Sequence, residues 1–417
     1  MQLPNSTSFE LHGKREIGML ICHKQESHII KKNSRLWWIL PVVFGLLVMA
    51  TAIRALIQPR KHSVFSCYYM AGLHWGERQS LYDRADMVGG IDVYRYHPLF
   101  AVLMVPYSYL PENIAGMVWR IFGGMCLGYV MVQALRAESG KIPAGLLALA
   151  GIPWILCSLT SLNNGQLNVE LVSATAGATL LAVRKHSVGC GVLLGIAVIL
   201  KIFPVAYLGL FALVMPWRML VVAFGVIGGM FIVPFVAAPT SYVIQEYQSW
   251  MSFLGVDDRS NYSLKDGYRD LWMLWRLSGL PTHRPTYQVI QVLGGLMLCI
   301  PILWAQNKLD HRSLCRMIFG LSTGWILLLG PSSESSTYIL LGPWLFWTVI
   351  ESYKNPRGFQ DYCLLGSIGC LVLSATGGLF KATADWHALG WHPLSALFLM
   401  VWEFVGLMRF KSVSESS

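Results

Sequence analysis

Apolar residues in this chain are gathered into long runs separated by short polar connections. A run of about 20 apolar residues is long enough to cross a bilayer as a helix. About twelve such runs are present: Trp37–Ile57, Ala115–Leu135, Ile142–Cys157, Leu167–Val183, Val188–Leu200, Phe203–Met215, Met219–Ala238, Thr286–Ala305, Met317–Gly330, Thr337–Ile350, Tyr362–Phe380 and Pro393–Met408. They predict an all-α fold, a polytopic bundle of about twelve transmembrane helices. Pro98–Leu110 is apolar but too short to cross, and predicts a re-entrant or interfacial helix. Two long polar segments interrupt the pattern, Gln58–His97 and Pro239–Pro285. The expected organisation is a tail over 1–36, a membrane domain over 37–409 with loops at 58–97 and 239–285, and a Ser-rich tail over 410–417.

Composition agrees with the pattern. The chain is 54% hydrophobic and only 13% charged, with a mean hydropathy of +0.50, where soluble domains carry roughly 25% charge. The net charge of +10 would suggest nucleic acid in a soluble protein. Here the basic residues stand mostly in connections between apolar runs, which is an orientation signal and excludes nucleic acid as the partner. The first 36 residues carry Lys14, Arg15, Lys24, Lys31, Lys32 and Arg35 but no apolar core of a signal peptide. Trp37–Ile57 therefore reads as a retained signal anchor with a cytoplasmic N-terminus. Alternating from there, the inner connections hold Arg136, Lys141, Arg184, Lys185, Arg218, Lys308, Arg312, Arg316, Lys354, Arg357, Arg409 and Lys411, while the outer segments Leu159–Gln166 and Pro331–Ser336 hold no basic residue. Both termini are expected in the cytoplasm and both long loops outside. Nine cysteines without a CxxC pair give neither a disulfide framework nor a metal site.

The unusual polar residues fall on the expected outer side. The first loop ends in Tyr94-Arg95-Tyr96-His97, and Arg95 beside an aromatic shelf suits a phosphate or a sugar. Interfacial tyrosines also occur for structural reasons alone. Asn164, Gln166 and Asn168 stand at the mouth of two spans, and amides suit sugar hydroxyls because they donate and accept; a loop cap with interhelical hydrogen bonds is the plainer alternative. Lys201 ends an apolar helix on the same side, where a charge at membrane depth costs on the order of 2.5–3.5 kcal/mol and calls for a partner. Asp83, Asp92 and Glu334 are candidate bases in that order, with His97 as a substitute; each is also an ordinary loop residue. Asn261 lies in the second loop. Asp257-Asp258 reads as a solvated turn, so neither a metal nor a cofactor is expected.

These residues resemble glycosyltransferase family 87. The resemblance rests on Gln166-Leu167-Asn168 opening a span, the basic connection Arg184-Lys185, and a Gly-rich helix ending Leu200-Lys201-Ile202-Phe203-Pro204. Tyr68-Tyr69, Leu81-Tyr82 and Tyr96-His97-Pro98-Leu99 are similar to the family's first outer loop, Asn261-Tyr262-Ser263-Leu264 and Leu274-Trp275-Arg276-Leu277 to its later one, and Pro331–Tyr338 to a short late segment. The likeness runs from about Trp37 to Ile350 and is most similar to divergent planctomycete members. It implies a GT-C-type enzyme of the inner membrane that moves a hexose, mannose among the candidates, from a polyprenyl-phosphate sugar to a lipid or glycan hydroxyl. Lys201, then Arg95, would hold the phosphate, and Gln166 and Asn168 the sugar or pyrophosphate-side oxygens. The family's early acid before the Phe and Tyr pair is absent from His62-Ser63-Val64-Phe65-Ser66-Cys67-Tyr68-Tyr69. A lipid-linked sugar transporter or flippase, or a non-catalytic protein keeping the fold, are the alternatives.

Overall fold

The computed structural model describes residues 36–414 apart from 62, 83–92, 257, 259, 282, 332, 357 and 380. Asp83 and Asp92, two of the candidate bases, lie outside the described residues. Among the described residues seventeen α-helices follow one another: α1 Ile39–Ile57, α2 Phe65–Glu77, α3 Pro98–Ser108, α4 Glu112–Glu138, α5 Ala144–Asn164, α6 Asn168–Val183, α7 Ser187–Leu200, α8 Val205–Ala212, α9 Arg218–Ala237, α10 Thr240–Val256, α11 Leu271–Leu277, α12 Arg284–Met297, α13 Cys299–Ala305, α14 His311–Leu329, α15 Leu341–Lys354, α16 Phe359–Leu379 and α17 Trp391–Ser414. No strand occurs among the described residues. The fold is all-α and membrane-embedded, with eight helical segments among the described residues long and apolar enough to cross a bilayer.

Four expected spans fall on shorter helices, and the causes are local. Phe203–Met215 shortens to α8 because Pro204 and Pro216 bracket it, and the residue before a proline is pushed out of the helical region. Thr337–Ile350 begins as a 3₁₀ turn, Ser335–Leu340, before becoming α15. α6 and α7 are 16 and 14 residues long. The expected short element appears as α3, and the two long loops contain helices of their own, α2 in the first and α10 and α11 in the second.

α6 and α14 form the centre. Ser173, Ala174, Thr175, Ala176, Gly177, Ala178 and Thr179 give α6 a surface small enough for close packing on all sides. Its hydroxyls bond back to the preceding turn, Ser173 to the Val169 carbonyl at 2.7 Å and Thr179 to that of Thr175 at 3.0 Å, so none is stranded. α9 and the α12–α13 pair show most of their apolar surface outward, as lipid-facing helices do.

The two ends of the bundle differ in chemistry. At one end Glu138, fully buried, receives Arg312, Arg316 and Lys354, the last at 3.2 Å. These ties join the C-terminus of α4 to the start of α14 and the end of α15. The opposite end carries α2, α3, α10 and α11 and a second aromatic core in which Tyr68 and Phe100 stack edge to face at 5.0 Å.

Candidate functional site

The polar residues of this crown end meet where α5 gives way to α6. Gly165 terminates α5 in the left-handed region at φ +62°, a conformation open to glycine without strain. The turn bonds the Gln166 amide to the Ser161 carbonyl at 2.9 Å. Arg120, a cation inside α4, points its guanidinium at the same turn. It donates to the Leu162 carbonyl at 3.1 Å and the Asn163 carbonyl at 2.9 Å. The last carbonyls of a helix lack intrahelical partners and carry partial negative charge, so a buried cation is satisfied there. A Cβ at Gly165 would lie 3.0 Å from the Arg120 Cζ. Gly165→Ala is expected to cost about 1–2 kcal/mol from the left-handed backbone alone, read as a lower thermal unfolding midpoint in detergent; an unchanged midpoint would remove Arg120 from this role.

The next residues build the mouth of α6. Asn168, 1% exposed, donates from Nδ2 to Gln166 Oε1 at 2.8 Å and to Ser336 Oγ at 3.1 Å. Its Oδ1 accepts from Lys201 Nζ at 2.8 Å. Lys201 leaves α7 in an extended conformation. Its ammonium lies 5.7 Å from the Tyr96 ring centre and 5.5 Å from that of Phe203, within cation–π range. Tyr96 shares a 2.8 Å hydrogen bond with the Tyr68 hydroxyl, which accepts from the Leu167 amide at 3.3 Å. Lys201, Asn168, Gln166 and Tyr96 therefore form one connected unit, with Ser336 and Tyr68 as members that lie within the quoted motifs but are not among the candidate site residues.

The other candidates stand apart in their bonding. Asn164 accepts at its carbonyl from the Val64 amide at 2.9 Å, which ties the first loop to α5. The Arg95 carbonyl accepts from the Trp250 indole at 3.2 Å. Glu334 caps the 3₁₀ turn: its carboxylate accepts from the Thr337 amide while its own amide donates to the Thr337 hydroxyl at 3.2 Å. Asn261 is exposed in the loop before α11.

His97 caps α3. Its Nδ1 accepts from the Leu99 amide at 3.1 Å, which puts the ring proton on Nε2. Phe231, Tyr247 and Trp250 surround the imidazole with ring centres 4.4 to 5.1 Å away. Burial lowers its pKa to about 4. The unfolded ring takes a proton near 6.5, so between those values the unfolded chain binds more protons than the folded one. Stability present above pH 6.5 is therefore lost as pH falls towards 4, by up to about 3 kcal/mol. His97→Asn keeps a cap but not the titration. Its unfolding midpoint should fall less than that of the wild type between pH 7 and pH 4; parallel falls would refute the assignment.

Beside this unit a cavity of about 640 Å³ runs along α6 between α3, α4, α7 and α9. Leu167 and Leu200, the immediate neighbours of Asn168 and Lys201, line its crown end. Gln133 and Arg184, hydrogen-bonded at 3.1 Å, lie at the other. From Leu167 to Arg184 the helix rises about 25 Å. The walls are mainly aliphatic and aromatic, with one acid among them, Glu170. Its Oε2 is buried with no hydrogen-bond partner among the described residues, and its Oε1 presses on Gly123, where the missing Cβ makes the room. A carboxylate in an otherwise apolar run is the sequence signal for Glu170; the groove itself has none, being a space between helices.

The model described as Glycosyltransferase family 87 matches residues 94–331. Among solved structures, that of ArnT from Cupriavidus metallidurans in the apo state is similar at 15% identity and a TM-score of 0.42, over 89% of this chain and 76% of that one. No curated protein matches.

Proposed function

From the chain's membership of glycosyltransferase family 87, which makes it a membrane glycosyltransferase, we propose that it transfers a hexose, mannose first among the candidates, from a polyprenyl-phosphate sugar to a hydroxyl of a lipid or glycan. The observation that carries this reading is the apolar groove that ends at the Lys201 and Asn168 unit. A polyprenyl chain needs a long apolar channel, and its phosphate needs a cation at the channel's mouth.

In the reaction an acceptor oxygen attacks the anomeric carbon as the bond from that carbon to the phosphate oxygen breaks. The phosphate leaves with the bonding pair and gains negative charge. Lys201, aimed by Asn168 Oδ1, stabilises that charge where it develops. Gln166 addresses the sugar hydroxyls, held by Asn168, whose own buried amide is taken up by Gln166, Ser336 and Lys201; Asn164, Tyr96, Arg95 and Asn261 stand at the sugar's periphery. The acceptor proton passes to a carboxylate, with Asp83, Asp92 and Glu334 the candidates from the sequence. His97 is a weak base at a pKa of about 4, with its Nδ1 occupied by the cap. We place the crown on the extracytoplasmic side of the inner membrane because the short connections at the opposite end are the basic ones.

Protein in nanodiscs, given a panel of polyprenyl-phosphate sugars and a membrane-lipid extract, should release polyprenyl phosphate from one donor and form a new glycolipid visible by mass spectrometry. Binding without release would overturn the reading. Because the groove reaches the far end of α6, a lipid-linked sugar flippase is the second reading. It predicts that labelled donor changes leaflet without being consumed.

A further inference from the structure

A separate cavity of about 310 Å³ opens at the opposite end of the bundle, between α14, α15 and α17. That size is at the lower end of small-molecule pockets, roughly 300–1,000 Å³. Three features of its lining point to a ligand. The first is a pair of indoles, Trp347 and Trp402, 4% and 5% exposed. Each has a buried Nε1 with no hydrogen-bond partner among the described residues. A stranded buried donor costs about 1–3 kcal/mol, and a bound acceptor would recover it. The second is a pair of carboxylates, Glu351 and Glu403, which accept from Asn355 Nδ2 at 2.8 Å and from the Trp344 indole at 2.9 Å. Glu403 belongs to the apolar run of α17, and an acid at membrane depth marks a working site more often than a structural one. The third is charge: of the two cations on the wall, Arg316 is already paired with Glu138 and Lys308 lies over the Trp304 ring at 4.0 Å, while Asp310, Glu351 and Glu403 supply three carboxylates. An anionic ligand would meet a wall with more acids than cations.

We propose that this cavity binds an uncharged polyhydroxylated group, a sugar ring or its like. Each hydroxyl both accepts and donates, so one ring answers the indole donors and the carboxylate acceptors together, while its C–H faces lie against the tryptophans. The inference is independent of the transfer reaction. The same chemistry can arrive as a free sugar or as the head of a glycolipid entering from the bilayer.

The full chain is placed in phosphatidylcholine nanodiscs and titrated with two tritiated probes, methyl glucoside and glucosyl diacylglycerol, neither of which carries a phosphate for Lys201. At least one should bind saturably, and Trp347→Phe and Trp402→Phe, which keep the ring but lose the N–H, should weaken it at least tenfold. Binding of methyl glucoside identifies a free sugar, and binding of the glycolipid alone identifies a lipid head; both support the site. Glu351→Gln, nearer the rim, guards against a tryptophan variant that fails to fold and should weaken binding as well. Saturable binding of neither probe, or binding unchanged in folded variants, overturns the proposal.

Discussion

Lys201→Met should lower the rate of transfer by 10²–10³-fold, on the order of what removing one preorganised donor from a developing anion costs elsewhere. Methionine keeps the aliphatic stem beside Tyr96 and Phe203 and removes the ammonium together with its hydrogen bond to Asn168 Oδ1, so packing at the end of α7 is retained. The loss should lie in kcat, because the ammonium acts on charge that grows as the phosphate departs. Lys201→Arg restores a cation on a different geometry and should recover part of the rate. The measurement is polyprenyl phosphate released per minute, at saturating donor, from protein with a wild-type unfolding midpoint. A folded Lys201→Met enzyme within threefold of the wild type would remove Lys201 from the chemistry. Asn168→Ala separates aiming from charge: it leaves the ammonium but not its 2.8 Å hydrogen bond, and should be slow without being dead.

The second large effect concerns stability. Glu138→Ala leaves Arg312, Arg316 and Lys354 facing one another at the opposite end without the buried carboxylate they share. Removing one partner from a buried ionic cluster typically costs 3–5 kcal/mol. The three cations keep 28%, 13% and 32% of their side-chain surface exposed, so water screens part of the repulsion and about 3 kcal/mol is expected. Thermal unfolding followed by tryptophan fluorescence should show a clear drop in midpoint that high salt partly restores. Transfer by the folded fraction should stay close to that of the wild type, since the cluster is at the other end from Lys201. A midpoint within a degree of the wild type would show that the cluster contributes nothing net.

These two sites differ in how far the sequence exposes them. Gln166, Asn168 and Lys201 are legible because each stands at the end of an apolar run, and the ends of adjacent helices meet when the connection is as short as Gly165. Helix lengths are less legible. Pro204 and Pro216 cut α8 short, although the apolar run continues through both. Glu334 reads as a free acid by composition, yet a threonine three residues later completes a reciprocal cap. Glu138 and its cations are 174 to 216 residues apart, and no local pattern announces a partner at that distance. Arg120 is conspicuous as a charge within a span, but its role depends on where a neighbouring helix happens to stop. Glu170 stands out as a lone acid in an apolar run, but the groove it lines becomes visible only once helices are packed.

The brevity of α6 and α7 has a consequence for the surrounding lipid. At 16 and 14 residues they span about 24 and 21 Å, against a hydrocarbon thickness of about 30 Å. α7 borders the groove and packs on the lipid-facing α9, so the bilayer beside it must dimple by several ångströms. A membrane built from short acyl chains meets that depth without deformation. Turnover in short-chain lipids should accordingly exceed turnover in long-chain ones, which makes membrane thickness itself a control on how readily a lipid phosphate reaches the ammonium of Lys201.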